Sequence, residues 1–272
     1  MKKAIIRSKD GQELPGLKFH LLDGFTDELM HVVFTRHGGY SKAPYNSLNL
    51  GFAANDKMED VKKNRRKVLE VCNLEAIVSP WQTHSDNVLV LNQENYALHS
   101  FDYKNPERET HNFDAVITAS KDQAIMLKVA DCQVIIFFDP SKKVLGLAHA
   151  GWKGLAKDIS GKTIKAMVEN FGCNPAHIIA GISPSLSTEH TEFSDPFNEL
   201  PVDFHPFIVS KKGKYFVDLW SFSKWQLEEH GLLSEKIELA RICTFGDVAN
   251  RFYSYRKDQG ETGRFGVLAY LK

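Results

Sequence analysis

The chain has 272 residues, 43% hydrophobic and 25% charged, which excludes a disordered chain and allows a sizeable core in one large domain or two small ones. Lys plus Arg (34) equals Asp plus Glu (34), so no global field recruits nucleic acid or an anionic membrane, and a charged ligand must be met locally. The apolar run in the opening MKKAIIRSKDGQELPG is too short for a signal peptide, no later segment is long enough to span a bilayer, and Cys72, Cys132, Cys173 and Cys243 form no C-x-x-C pair; a cytoplasmic protein with reduced thiols is expected.

In chain order, the first strand is expected at 31–35, running into a glycine turn at 36–51. A helix follows from about Asp56, where Asp56 and Glu59 have capping-box spacing and Val61, Val68, Leu69 and Cys72 supply an apolar stripe. Short apolar runs at 87–91, 115–118, 124–130, 134–138 and 144–148 read as buried strands, and the polar stretch 94–112 reads as a surface loop. After AGWKG a helix is expected with Leu155, Ile159, Met167, Val168 and Phe171 on one face, closed by Gly172. A strand at 177–182, a Pro and Ser rich loop, a helix from about Asp218, and strands at 237–242, 252–255 and 265–271 complete the chain. Strands adjacent in sequence mixed with dispersed helices indicate an α+β layered domain.

Three residues stand at joins between apolar runs and polar or Gly-rich turns: His84 in WQTHSDNV, Cys132 in VADCQVIIFFD and His149 in LGLAHAGWKG. A free Cys is ordinarily a small buried hydrophobe, and a lone His at a strand end ordinarily a hydrogen-bonded structural residue. If the three converge, however, a thiolate and two imidazoles make a metal site with one open position, the arrangement of catalytic zinc. Asp131 adds a carboxylate at the end of an apolar run, where burial demands a partner. Two other patterns fail. G-x-x-x-x-G-W-K at 146–153 lacks the Lys-Ser/Thr pair of a phosphate loop, and Ser85, His84 and Asp86 are chain neighbours that point to opposite faces.

TRHGGYSKAPYNSLNLG, WQTHSDNV, DAVIT, VADCQV, GLAHAGWKGL, the Cys243–Thr244 pair and FYSYRKDQGETGR, in that order from Thr35 to Arg264, resemble the laccase-domain family, also known as polyphenol oxidase, bacterial purine nucleoside phosphorylase or peptidoglycan editing factor. The resemblance implies a single four-layer α/β/β/α domain over 1–272 with mixed sheets, and metal ligands at His84, Cys132 and His149. It also implies a zinc-dependent purine nucleoside phosphorylase that cleaves inosine, adenosine and methylthioadenosine with phosphate, with adenosine deamination as a second activity. Three departures accompany it. Val134 replaces a usual proline, LSTEHTEFSDPF stands where a GPCCYEV-like stretch is usual, so contacts from 183–197 do not carry over, and Lys257 stands where a second Arg is common.

For such chemistry Cys132, Asp131 and His84 are the expected catalytic group, with Asp131 as general acid or base. Arg36, Lys153 and Arg256 are expected anion contacts, and Asn49 and Gln82 polar contacts to ribose or base; each also has a purely structural reading, Arg36 in the glycine turn, for instance. Trp81 and Trp152 flank ligand positions and suit either base packing or support. Purine nucleosides and phosphate are the expected small-molecule partners, and the sequence points to no particular protein partner. Three other readings stand beside this one: a phenol oxidase with a single copper, although H-x-H ligand pairs are missing; a cysteine hydrolase editing cell-wall precursors, with Cys132 as nucleophile and His149 as base; and a metal-stabilised binding domain without catalysis.

Overall fold

A computed structural model describes residues 1–272. Two mixed sheets are stacked face to face, each with helices on its outer side, the α/β/β/α order expected. The first sheet has the order β1 (Lys2–Arg7), β2 (Glu13–Lys18), β3 (Leu29–Phe34), β16 (Phe265–Leu271), β8 (Ala124–Val129), β4 (Ala76–Val78), β6 (Ser100–Asp102). The second runs β15 (Ile237–Leu239), β11 (Ile179–Ile182), β9 (Gln133–Asp139), β10 (Val144–Ala150), β7 (Ala115–Thr118), β5 (Val88–Leu91). Parallel pairs (β4 with β8, β11 with β15, β5 with β7) sit among antiparallel ones.

Because successive strand side chains face opposite ways, the central strands are apolar on both faces and feed two cores at once. Leu127 and Val129 of β8 meet Ile136 and Phe138 of β9 and Leu145 and Leu147 of β10 between the sheets. The other faces turn outward. Met126 of β8 packs with Val68 and Leu69 of α1 (Met58–Cys72), whereas Ile135 and Phe137 of β9 pack with Ile164 and Met167 of α4 (Ile159–Phe171) and Phe222 of α6 (Leu219–Glu229).

Several expectations need correction. Two strands precede the expected first one, since β1 and β2 form an edge hairpin whose alternating pattern is masked by Lys and Pro. The helix after the glycine turn begins at Met58 with no side-chain cap; Asp56 instead accepts from the Lys57 amide and from Asn49 Nδ2. The stretch 94–112 is not plain loop. It holds most of α2 (Gln93–His99), opened by an Asn92–Asn95 capping box, then β6, and it carries a buried glutamate, Glu109. The helix after AGWKG is two helices, α3 (Trp152–Ala156) and α4, because Asp158 turns left-handed (φ 60°) and caps α4 through the Gly161 amide. Val168 is exposed, although Gly172 ends α4 as expected, at φ 64°.

Residues 252–255 form no strand. Phe252 and Tyr253 are buried in the inter-sheet core, but their run is a loop whose Tyr253 hydroxyl donates to Tyr45 O, so burial produced the apolar signal without a ladder. The strand expected at 237–242 stops at Leu239, and Arg241 turns to φ 50°. The divergent stretch 183–197 contributes β12 (Glu192–Phe193) to a small third sheet with β14 (Lys214–Val217) and β13 (Ile208–Lys211), and Pro196 opens α5 (Pro196–Glu199). No helix is long and apolar enough to cross a membrane.

Candidate metal centre and its cavity

The three donors selected from the sequence meet. The Cys132 Sγ and one ring nitrogen each from His84 and His149 all lie within 4.8 Å of one another, with Cys132 Sγ 3.9 Å from His84 Nε2 and the two imidazoles edge to face. His84 comes from the loop after β4, Cys132 from the turn between β8 and β9, and His149 from the end of β10. Both turns need unusual backbone, His84 at φ 58° and Asp131 at φ 88°. Gly151 makes the meeting sterically feasible, since a Cβ there would fall 2.9 Å from Cys132 Sγ and 3.1 Å from His84 Cδ2.

Asp114, at the start of β7, organises the cluster, and the sequence reading missed it. Its buried carboxylate accepts from the amides of Thr83 (3.1 Å), His84 (3.0 Å) and Ser85 (2.7 Å) and from the Ser85 hydroxyl (2.7 Å). It also bonds His149 Nδ1 at 2.7 Å, which leaves Nε2 as the ring's free donor, the carboxylate–histidine arrangement common at metal ligands. Burial opposes this charge, but the bonds to His149 and Ser85 outweigh it and hold Asp114 down at about 2. Likewise, burial would raise Cys132, yet the two imidazoles bring it down to about 6, and burial would lower His149, yet Cys132 and Asp114 lift it to about 9. The cluster therefore favours a thiolate held among cationic or metal-bound imidazoles. Such a soft–borderline donor set suits zinc, and also copper.

The cluster lies in a cavity of about 640 Å³. Asp131, Gln82, Lys153 and Arg256 line it too. Asp131 Oδ1 accepts from the Thr244 hydroxyl (2.6 Å) and Oδ2 from the Arg256 amide (2.7 Å), while Gln82 is stapled to β8, donating to Lys128 O and accepting from Lys128 N, both at 2.9 Å. Trp152 and Trp81 also border the cavity. Arg36 and Asn49 do not. Arg36 is buried over the Tyr253 ring (4.3 Å) and donates to Asn46 O and Pro44 O, so it organises the glycine turn; Asn49 is fully buried and ties Gly51, Asp56 and the Arg264 amide together. Their motif TRHGGYSKAPYNSLNLG shapes the wall from behind.

In their place the cavity presents Arg264, Glu109, Lys128 and Phe52, none singled out from the sequence. Arg264 closes the GETGR run; its guanidinium lies over the Tyr255 ring (5.5 Å), with Nη1 donating to Thr262 O and Gly263 O. Its type and its place at the end of a motif were the available signals. With Lys153 and Arg256 it gives the cavity a cationic side in a chain whose formal charge is zero.

Fold and site together define a four-layer α/β/β/α protein with an open three-donor centre. The profile of the family described as multi-copper polyphenol oxidoreductase laccase matches residues 30–272, and the chain belongs to that family. It is 36% identical over 245 residues to purine nucleoside phosphorylase YlmD of Bacillus subtilis (strain 168), covering 88% of this chain and 87% of that one. It is 30% identical over 252 residues to a purine nucleoside phosphorylase of Bacteroides thetaiotaomicron, covering 89% and 92%. The crystal structure of Bacillus licheniformis hypothetical protein YfiH superposes with a TM-score of 0.83 at 26% identity, over 97% of this chain and 98% of that one.

Proposed function

We propose that this chain is a zinc-dependent purine nucleoside phosphorylase of the cytoplasm. It would split inosine, adenosine and methylthioadenosine with phosphate to ribose 1-phosphate, or its methylthio analogue, and free base. The observation that carries the reading is the open His84–Cys132–His149 cluster inside a cavity with a cationic side. Relatives named purine nucleoside phosphorylase at 30% identity and above support it.

Bound at the three donors, zinc would supply Lewis acidity and a polarised fourth position, which would also serve adenosine deamination as a side activity. His84, Cys132 and His149 would hold it, and Asp114 keeps His149 Nδ1 occupied so that Nε2 faces the ion. Lys153, Arg256 and Arg264 would bind and orient phosphate against the ribose, lowering the entropic cost of bringing nucleophile and sugar together. Asp131, fixed by Thr244 and the Arg256 amide, retains further lone pairs on both oxygens; it would transfer a proton or face the positive charge that develops on the sugar. Trp152 closes one side and limits water. Gln82 fixes the wall by its bonds to β8.

The test is release of base and ribose 1-phosphate from inosine by zinc-analysed protein. Phosphate dependence, with collapse in Cys132→Ala and His84→Ala, is the expected result; equal activity in both variants refutes the assignment. One geometric fact favours a second reading, the closeness of Cys132 to two imidazoles, which also suits a cysteine nucleophile. A covalent Cys132 adduct with a cell-wall amide substrate, formed in metal-free protein, would select that reading. Oxygen uptake on copper loading would select phenol oxidation instead.

A further inference from the structure

Along the cavity wall formed by Phe52, Trp81, Glu109 and Lys128, three buried charged groups meet. Glu109 Oε1 accepts from Lys128 Nζ (2.6 Å) and from Arg65 Nη2, and all three side chains are almost completely buried. Burying three charges is costly. Arg65 does not line the cavity, and the Lys128 ammonium, though at its wall, is committed to the protein. Lys128 Nζ spends its other two protons on Ser79 Oγ and Pro80 O, both at 2.9 Å, while Arg65 donates to Leu50 O and Pro106 O and lies over the Phe52 ring at 4.3 Å. What remains is Glu109 Oε2, which accepts nothing from the protein on a residue that lines the cavity. Burial would raise this carboxyl, but Lys128 and Arg65 outweigh it and hold it below the usual range, so the acceptor is ionised.

Its surroundings are flat and apolar. Trp81 pairs with the same segment, its amide donating to Thr110 O (2.7 Å) and its indole 6.1 Å from the His111 ring, and Phe52 and Val129 complete the walls. Trp81 and His84 are three residues apart, so this wall and the metal centre are separated by no more than about 11 Å of chain, the span of a single nucleoside.

We propose that Glu109 is the base-recognition residue, accepting through Oε2 from the donor on the six-membered-ring edge of a purine held between Trp81 and Phe52, the ring N1–H of a 6-oxopurine or the 6-amino group of an adenine. Arg65 and Lys128 fix that carboxylate from behind. This rests on the nucleoside reading above and adds to it which edge of the base is read. A site built to accept a hydrogen bond discriminates strongly against a ligand that lacks the donor, because the buried acceptor is then left unpaired.

The experiment compares inosine with N1-methylinosine as substrates, and hypoxanthine with 1-methylhypoxanthine as ligands in calorimetry, on wild-type zinc-loaded enzyme. N1 methylation is expected to lower kcat/KM and base affinity by at least about 10-fold. Glu109→Gln and Glu109→Asp, the latter keeping the charge against Arg65 and Lys128 but withdrawing the oxygen, are expected to bring the discrimination close to unity, a ratio that a stability defect alone would leave in place. Equal handling of the methylated and unmethylated compounds by wild type overturns the proposal while leaving phosphorolysis intact. Discrimination in base binding without any turnover would sustain it and sink the phosphorylase reading instead. Failure to bind either base overturns it outright.

Discussion

Asp114 and His149 are joined twice, side chain to side chain at 2.7 Å and His149 amide to Asp114 carbonyl at 2.7 Å. The first bond sets which ring nitrogen is free, and the second fixes where β10 delivers the ring. The same carboxylate also collects three amides of the His84 loop. One residue thus positions two of the three donors.

Asp114→Asn keeps the shape but loses charge and acceptor capacity. Zinc affinity is expected to fall by about 10- to 100-fold, read by competition with a chromophoric chelator. Unchanged affinity would remove Asp114 from its organising role.

Gly151 has an ordinary φ of −72°, so alanine carries no backbone penalty there; the objection is contact with Cys132 and His84. Gly151→Ala is therefore expected to bind zinc far more weakly than wild type while its thermal midpoint in the metal-free form stays within about 2 °C of wild type, a shift worth about 1 kcal/mol. Metal analysis beside calorimetry checks both halves.

Arg65 and Lys128 share one carboxylate in a dry environment, so removing one cation leaves a matched pair whereas removing the carboxylate leaves uncompensated charge. Arg65→Met leaves the Glu109–Lys128 pair intact and is expected to cost less than Glu109→Ala, which strands two cations and should destabilise by about 3–5 kcal/mol. Urea unfolding of the two variants gives the order.

His31, buried against β2 with Nε2 accepting from the Phe19 amide, is pushed down to about 4, chiefly by burial. Between that value and its ordinary one near 6.5 the unfolded chain binds the extra proton, so stability is present above about pH 6.5 and is lost as pH falls toward 4. The loss by pH 5 is expected to be up to about 2 kcal/mol, and His31→Gln should flatten that stretch of the urea-midpoint profile. A profile as steep as that of wild type would refute it.

The convergence of His84, Cys132 and His149 was legible because each sits where an apolar run stops, and strand ends are where backbone leaves a ladder and side chains become free. The central strands were legible for a related reason: β7, β8, β9, β10 and β16 are buried on both faces, so their apolar runs are continuous. The β1–β2 hairpin was not, since an edge pair with one solvated face carries lysines, and neither was the false strand at 252–255, where a buried loop imitates one.

The sequence by itself determined the kind of chemistry available, a thiol and two imidazoles at strand ends in a neutral, core-forming chain, because residue type and local hydrophobic pattern are properties of short segments. Only the tertiary structure decided which polar groups face the cavity. Arg36 and Asn49 carry suitable chemistry yet spend it on the glycine turn, whereas Asp114 depends on His84 and His149, Glu109 on Arg65, and Arg264 on Asn49, all distant in the chain. Burial and hydrogen-bond satisfaction depend on distant segments, and no local pattern records them.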